Sequence, residues 1–121
     1  MGAEAITAGP QEVVLLCRSA PGQDQALPEL LDMALTTAVF GQSVALLLVG
    51  DGVRHLQPPS ADSSFAEALA SLVDYGIQGW VDEGALREAG IAVADLPSAF
   101  RAASMAEIAA VMAASRHLWG W

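Results

Sequence analysis

Reactive chemistry in this chain rests on very few side chains. Cys17 is the only sulfur nucleophile, last in the apolar run Val13-Val14-Leu15-Leu16-Cys17 and just before Arg18. A thiolate held by a guanidinium at a strand's end would accept sulfane sulfur. The same position also suits a small buried hydrophobe, a common fate of an unpaired cysteine. Burial is the favoured reading, because neighbours along a strand point to opposite faces. Asp51, in Gly50-Asp51-Gly52, has the chemistry of a general base or ligand-holder, but such an aspartate more often hydrogen-bonds its own turn. Asp82 is most simply a helix cap. His55 and His117 are far apart, and neither has a partner at a metal-ligand spacing. With one cysteine there is no intramolecular disulfide and no thiolate zinc cluster. Neither a metal nor a cofactor is expected.

Nucleotide and hydrolase signatures are missing. There is no lysine anywhere, hence no G-x-x-x-x-G-K, and neither G-x-G-x-x-G after the first strand nor G-x-S-x-G occurs. The charge balance is strongly acidic, 14 Asp and Glu against 5 arginines, for a net charge of −9. Arg18, Arg54, Arg87, Arg101 and Arg116 are scattered rather than gathered on one stripe. Phosphate neutralisation needs a basic face, so direct nucleic-acid binding is excluded, and docking on an anionic membrane is disfavoured.

The elements that position these residues follow from apolar patterning. The 121 residues make one domain, with 1–11 as a loose lead-in and 12–121 as the folded unit. Residues 13–17 and 44–49 are continuous apolar runs, the mark of strands buried on both faces. Leu27, Leu30, Leu31, Ala34, Leu35 and Ala38 share one helical face, with Pro28 in the first turn and Gly41 as the stop. Residues 33–50 carry no charge and approach membrane-spanning length, but Gly41-Gln42-Ser43 divides them into a helix and a strand. Pro58-Pro59-Ser60 is a loop. Ser64 and Glu67 have capping-box spacing for the next helix, with Asp62 as an alternative cap; Phe65, Leu69, Leu72 and Val73 form its apolar side. A third strand runs over 77–81, and a brief helix opens at Asp82-Glu83, carries Leu86 and stops at Gly90. A weak fourth strand falls within 96–102. Ser104 and Glu107 make another capping box, and Met105, Ile108, Val111 and Met112 face inward on the last helix. A final strand, 117–119, carries Trp119, with Trp121 beyond it. These two tryptophans suit core packing and subunit anchoring equally.

Strand and helix alternate throughout. The pattern predicts an α/β fold: a three-layer α/β/α sandwich with a mostly parallel sheet of about five strands. Ligands in such folds gather at the carboxyl ends of strands, here 18–22, 50–53 and 82–84. Any pocket is expected near Ser19, Gly22, Asp51 and Gly52. No secretory signal opens the chain, and the cytoplasm is the expected compartment. With 54% hydrophobic and only 16% charged residues, the chain has few charges to cover a monomer, so an oligomer is expected.

Several segments resemble one family when taken together: Ser19-Ala20-Pro21-Gly22, then Leu48-Val49-Gly50-Asp51-Gly52-Val53-Arg54-His55-Leu56, then Trp80-Val81-Asp82-Glu83-Gly84-Ala85-Leu86-Arg87-Glu88-Ala89-Gly90. Over residues 12–121 the chain resembles the DsrE/DsrF-like sulfur-relay family, and within it the TusC/DsrF branch. The resemblance implies a parallel α/β/α sandwich in a complex of TusB/DsrH-like, TusC-like and TusD/DsrE-like chains. Such complexes pass persulfide sulfur along cysteines, towards tRNA thiolation or within sulfur oxidation. In the family's sulfur-carrying subunit a cysteine sits near the opening of the helix after the third strand, where a helix N-terminus lowers a thiol's pKa. The matching stretch here, 82–84, has none. The resemblance therefore implies a non-catalytic assembly subunit. Two alternatives are a sulfurtransferase using Cys17 and a homo-oligomeric protein that binds a small ligand.

Overall fold

A computed structural model describes residues 12–22, 26–57 and 63–121. The expected loop at 58–60, the cap Asp62 and the lead-in 1–11 fall outside these residues, as do the side chains of Ser64 and Phe65.

Five strands form one all-parallel sheet: β1 (Val13–Cys17), β2 (Val44–Leu48), β3 (Gln78–Asp82), β4 (Phe100–Ala103) and β5 (His117–Gly120), in the order β4-β3-β2-β1-β5. The two runs without polar interruption, β1 and β2, lie in its middle. This is the placement that removes both faces of a strand from water. Helices α1 (Ala26–Val39), α2 (Ser63–Ser71), α3 (Glu83–Ala89) and α4 (Met105–Ala114) connect the strands, with short 3₁₀ turns at Gly50–Leu56, Leu72–Tyr75 and Val93–Asp95.

The core divides along the pleat. Val13, Leu15 and Cys17 of β1, Leu46 and Leu48 of β2, and Val81 of β3 pack with Leu27, Leu30 and Leu31 of α1, Leu69 of α2 and Leu86 of α3. The alternate residues, Val14, Ala45, Leu47 and Trp80, meet Ile108 and Val111 of α4 on the opposite face. The three-layer α/β/α sandwich follows. The first three crossovers step outward across one face, and the fourth returns across the whole sheet on the other through α4. Reversing direction while changing face keeps one crossover hand.

Local chemistry fixes the helix starts. Ser104 Oγ accepts the Glu107 N–H at 3.1 Å, and Glu107 Oε1 accepts the Ser104 N–H at 2.9 Å, closing the capping box of α4. Asp82 Oδ1 accepts the Gly84 N–H at 3.0 Å at the start of α3, the capping role its sequence position implied. In mid-sheet, Gly79 of β3 leaves the space that the paired Phe100 ring of β4 fills.

Three details differ from the pattern. Strand β4 begins at Phe100, because the 3₁₀ turn and Pro97 occupy the stretch before it. Val73 is exposed: the chain tightens from α to 3₁₀ at Leu72, and the changed rise turns Val73 away from the core. Met105 is exposed at the first position of α4, ahead of the part seated on the sheet.

Candidate functional site

The candidate site stands where β1 and β2 end side by side, with Cys17 paired to Leu48. After β2 the chain folds into the Gly50–Leu56 turn, anchored by buried Val53 and Leu56. This turn presses back on the end of β1. The Val49 N–H donates to the Cys17 carbonyl at 3.1 Å, and Gly52 lies so close that a Cβ there would run into the same oxygen. Only glycine fits this approach.

Cys17 is fully buried among the residues beneath α1. Its Sγ makes a long, weak hydrogen bond to the Ser19 carbonyl at 3.7 Å. Burial pushes the thiol above its ordinary pKa, and the Ser19 contact offsets this in part. Arg18, exposed beyond the strand end, is not among the influences on it. The geometry gives a protonated, shielded thiol, not a guanidinium-activated thiolate.

The same Ser19 oxygen is the partner of His55 Nε2 at 2.8 Å. A carbonyl only accepts, so this nitrogen carries the hydrogen. Burial holds the His55 pKa below its ordinary value, with the Ser19 bond acting the other way. The imidazole is therefore a neutral donor that ties the two loops together.

Of the four expected ligand-binding residues, Ser19 and Gly52 are drawn into this cluster around Cys17. Asp51 is exposed and turned to Arg54 Nε at 3.3 Å, an ion pair within its own turn that adds little stability. Gly22 is exposed with φ 84°. At the third carboxyl end Asp82 serves α3 as described, and Gln57 Nε2 reaches the Ala89 carbonyl at 3.2 Å, tying the turn after β2 to the end of α3. Among the described residues no three His, Cys, Asp or Glu come together as a metal site, and no helix is long and apolar enough to cross a membrane.

His55 is the residue that pattern reading undervalued. Its spacing from His117 offers no metal pair, but its position in the Gly50–Leu56 turn places it against the segment after β1. A second feature lies at the other end of the sheet. A cleft of about 240 Å³ opens where β3 and β4 begin, with Gln78, Trp80, Ser98 and Arg101 in its wall. The two terminal tryptophans part company. Trp121 packs against the larger core and exchanges backbone hydrogen bonds with Leu16 and Arg18, whereas Trp119 stands 54% exposed on edge strand β5 beside Leu118.

A five-stranded parallel sheet in this order, carrying its loops at the carboxyl ends of β1, β2 and β3, defines an α/β protein of the sandwich type. The chain belongs to the DsrE/DsrF-like family, whose model matches residues 11–118. Among solved structures it is similar to the ychN protein from E. coli, with a TM-score of 0.78 at 17% identity, covering 92% of this chain and 99% of that one. It is also similar to BT1422 from Bacteroides thetaiotaomicron, a protein of unknown function, with a TM-score of 0.69 at 13% identity over 91% and 95% of the two chains. MTH1491 from Methanobacterium thermoautotrophicum, likewise of unknown function, gives 0.65 at 15% identity over 87% and 97%. At these identities the likeness is one of fold. No curated protein sequence matches the chain significantly.

Proposed function

We propose that this chain is a non-catalytic assembly subunit of a sulfur-relay complex, of the TusC/DsrF type, working in the cytoplasm beside TusB/DsrH-like and TusD/DsrE-like partners. The observation that carries the reading is the chemistry at the two places where a persulfide could be held. The start of α3 is occupied by Asp82 acting as its cap, and residues 82–84 hold no cysteine. The lone thiol, Cys17, is buried and held protonated. Sulfur transfer needs an accessible thiolate, so the cargo sulfur belongs on a partner chain, and this subunit contributes surface.

Exposed apolar side chains support that role. Leu118 and Trp119 stand half exposed on β5, and Val39 and Phe40 are more exposed still at the end of α1. Trp and Phe are enriched where subunits meet. Co-expression with TusB- and TusD-like chains, followed by native mass spectrometry, tests the reading. A stable complex containing all three chains is expected. A chain that ignores both partners contradicts it, and a discrete homo-oligomer unchanged by them favours the self-assembling alternative.

A further inference from the structure

The cleft at the start of β3 and β4 lies at the opposite end of the sheet from the loops after β1, β2 and β3, and its wall has an unusual polar balance. Trp80 is 2% exposed, and its Nε1–H is buried with no hydrogen-bond partner among the described residues. Leaving a buried donor unpaired costs about 1–3 kcal/mol, and each such group in a folded protein calls for an explanation. Trp80 also forms part of the cleft wall. Its cross-strand partner is Arg101 of β4, so both side chains leave the same face of the sheet, and Gln78, two residues before Trp80, shares that face. Arg101 is exposed and makes no ion pair among the described residues.

The indole N–H and the guanidinium are donors only. Among the described residues no Asp or Glu lines the cleft, although the chain as a whole is acidic. Nearby backbone donors are already committed, Gly76 to Val73, Ile77 to Leu72 and Gly79 to Ala99. Gln78 and Ser98 each carry both a donor and an acceptor, so the donors left without a partner among the described residues are Trp80 Nε1–H and the Arg101 guanidinium. The rest of the lining includes the apolar Val73, Ile77 and Ala99.

We propose that this cleft binds a small organic carboxylate: the acid group accepts from Arg101 and from Trp80 Nε1–H, and a compact apolar body rests against the exposed side chain of Val73. Gln78 and Arg101, long and exposed on either strand, are the side chains that swing to admit it. A bare inorganic oxyanion satisfies the donors but leaves the apolar wall wet, so an acid with a hydrocarbon body is preferred. The site is independent of any sulfur-relay role, since it uses no residue of the loops after β1, β2 or β3.

The test is a proton–nitrogen NMR titration of the full chain, following the Trp80 indole resonance, assigned by its loss in Trp80→Phe. The probes are benzoate, acetate, inorganic phosphate and uncharged benzamide, each at concentrations up to tens of millimolar. Benzoate is expected to move the Trp80 indole signal saturably while leaving those of Trp119 and Trp121 in place. Acetate and phosphate are expected to bind more weakly. Arg101→Gln, a change on an exposed edge strand, is expected to weaken benzoate by about tenfold or more, in keeping with loss of a charged hydrogen bond. The proposal is overturned if no probe moves the Trp80 signal, if benzamide or phosphate binds as well as benzoate, or if Arg101→Gln binds benzoate unchanged.

Discussion

His55 Nε2 sits 2.8 Å from the Ser19 carbonyl oxygen, a hydrogen bond that joins residues 36 apart in sequence and ties the loop after β1 to the turn after β2. Burial depresses the imidazole pKa, so the folded chain takes up this proton less readily than the unfolded chain. The unfolded state then binds more protons as pH falls below about 6.5, and stability present above that value is lost through this window. The urea midpoint of the native chain is expected to drop more steeply from about pH 7 to pH 5 than that of His55→Gln. Equal slopes for the two would show that His55 is not the titrating group.

Cys17 gives a kinetic prediction. A fully buried thiol with a raised pKa reacts through opening of the fold rather than directly. Alkylation by iodoacetamide near pH 8 is expected to run about tenfold or more slower in the native chain than in urea, read by intact mass. Incubation with a persulfide donor should add no sulfur to the native protein. A native alkylation rate equal to the unfolded one, or a 32-dalton adduct lost in Cys17→Ser, with sulfur weighing about 32 daltons, would restore the sulfurtransferase alternative.

Gly52 is a steric prediction. Its missing side chain is where the Cys17 carbonyl oxygen lies, and that oxygen is backbone held by the Val49 N–H. Gly52→Ala is expected to cost about 3 kcal/mol, at the upper end for overpacking, because neither partner can move alone. Gly79→Ala meets the Phe100 ring, which can swing, and should cost less. Gly120→Ala has open space around it and should stay within about 0.5 kcal/mol of the native chain. Urea denaturation of the three variants gives the order directly.

The cap of α4 carries more than its own helix. Among the described residues α4 supplies the helical cover over Val14, Leu47 and Trp80. Ser104→Ala removes one side of the capping box and is expected to cost about 1 kcal/mol, while Ser104→Asp, which also caps, should recover most of it. Hydrogen exchange should show the loss first in residues 105–114. A uniform loss across the sheet instead would mean that α4 unfolds only with the whole domain.

Sequence patterning located the central elements almost to the residue. β1 and β2 are uninterrupted and buried almost throughout, and α1 keeps one buried face through Leu27, Leu30, Leu31 and Ala34, so a single pattern runs through each. At the margins the rule weakens. β4 is a short edge strand with exposed Arg101 between buried Phe100 and half-buried Ala102, and Pro97 lies in the turn ahead of it. Val73 follows the helical period on paper, yet the turn tightens before it is reached. The cluster of Cys17, Ser19, Gly52 and His55 depends on strand pairing between β1 and β2, which no local spacing encodes. The cleft by Trp80 and Arg101 likewise needs the β3–β4 register, and it lies at the amino ends of the strands, where the general rule for parallel sheets does not look.

The strand order has a temporal consequence. β5 pairs with β1, so during synthesis β1 gains its neighbour β2 early and waits for its other neighbour until residues 117–120 have emerged. Through that delay a greasy ribbon, Val13 to Cys17, offers an open hydrogen-bonding margin to any nascent chain beside it on the polysome. Stalled or shortened products that lack residues 117–121 should therefore accumulate as insoluble aggregates rather than as soluble, loosely folded monomers.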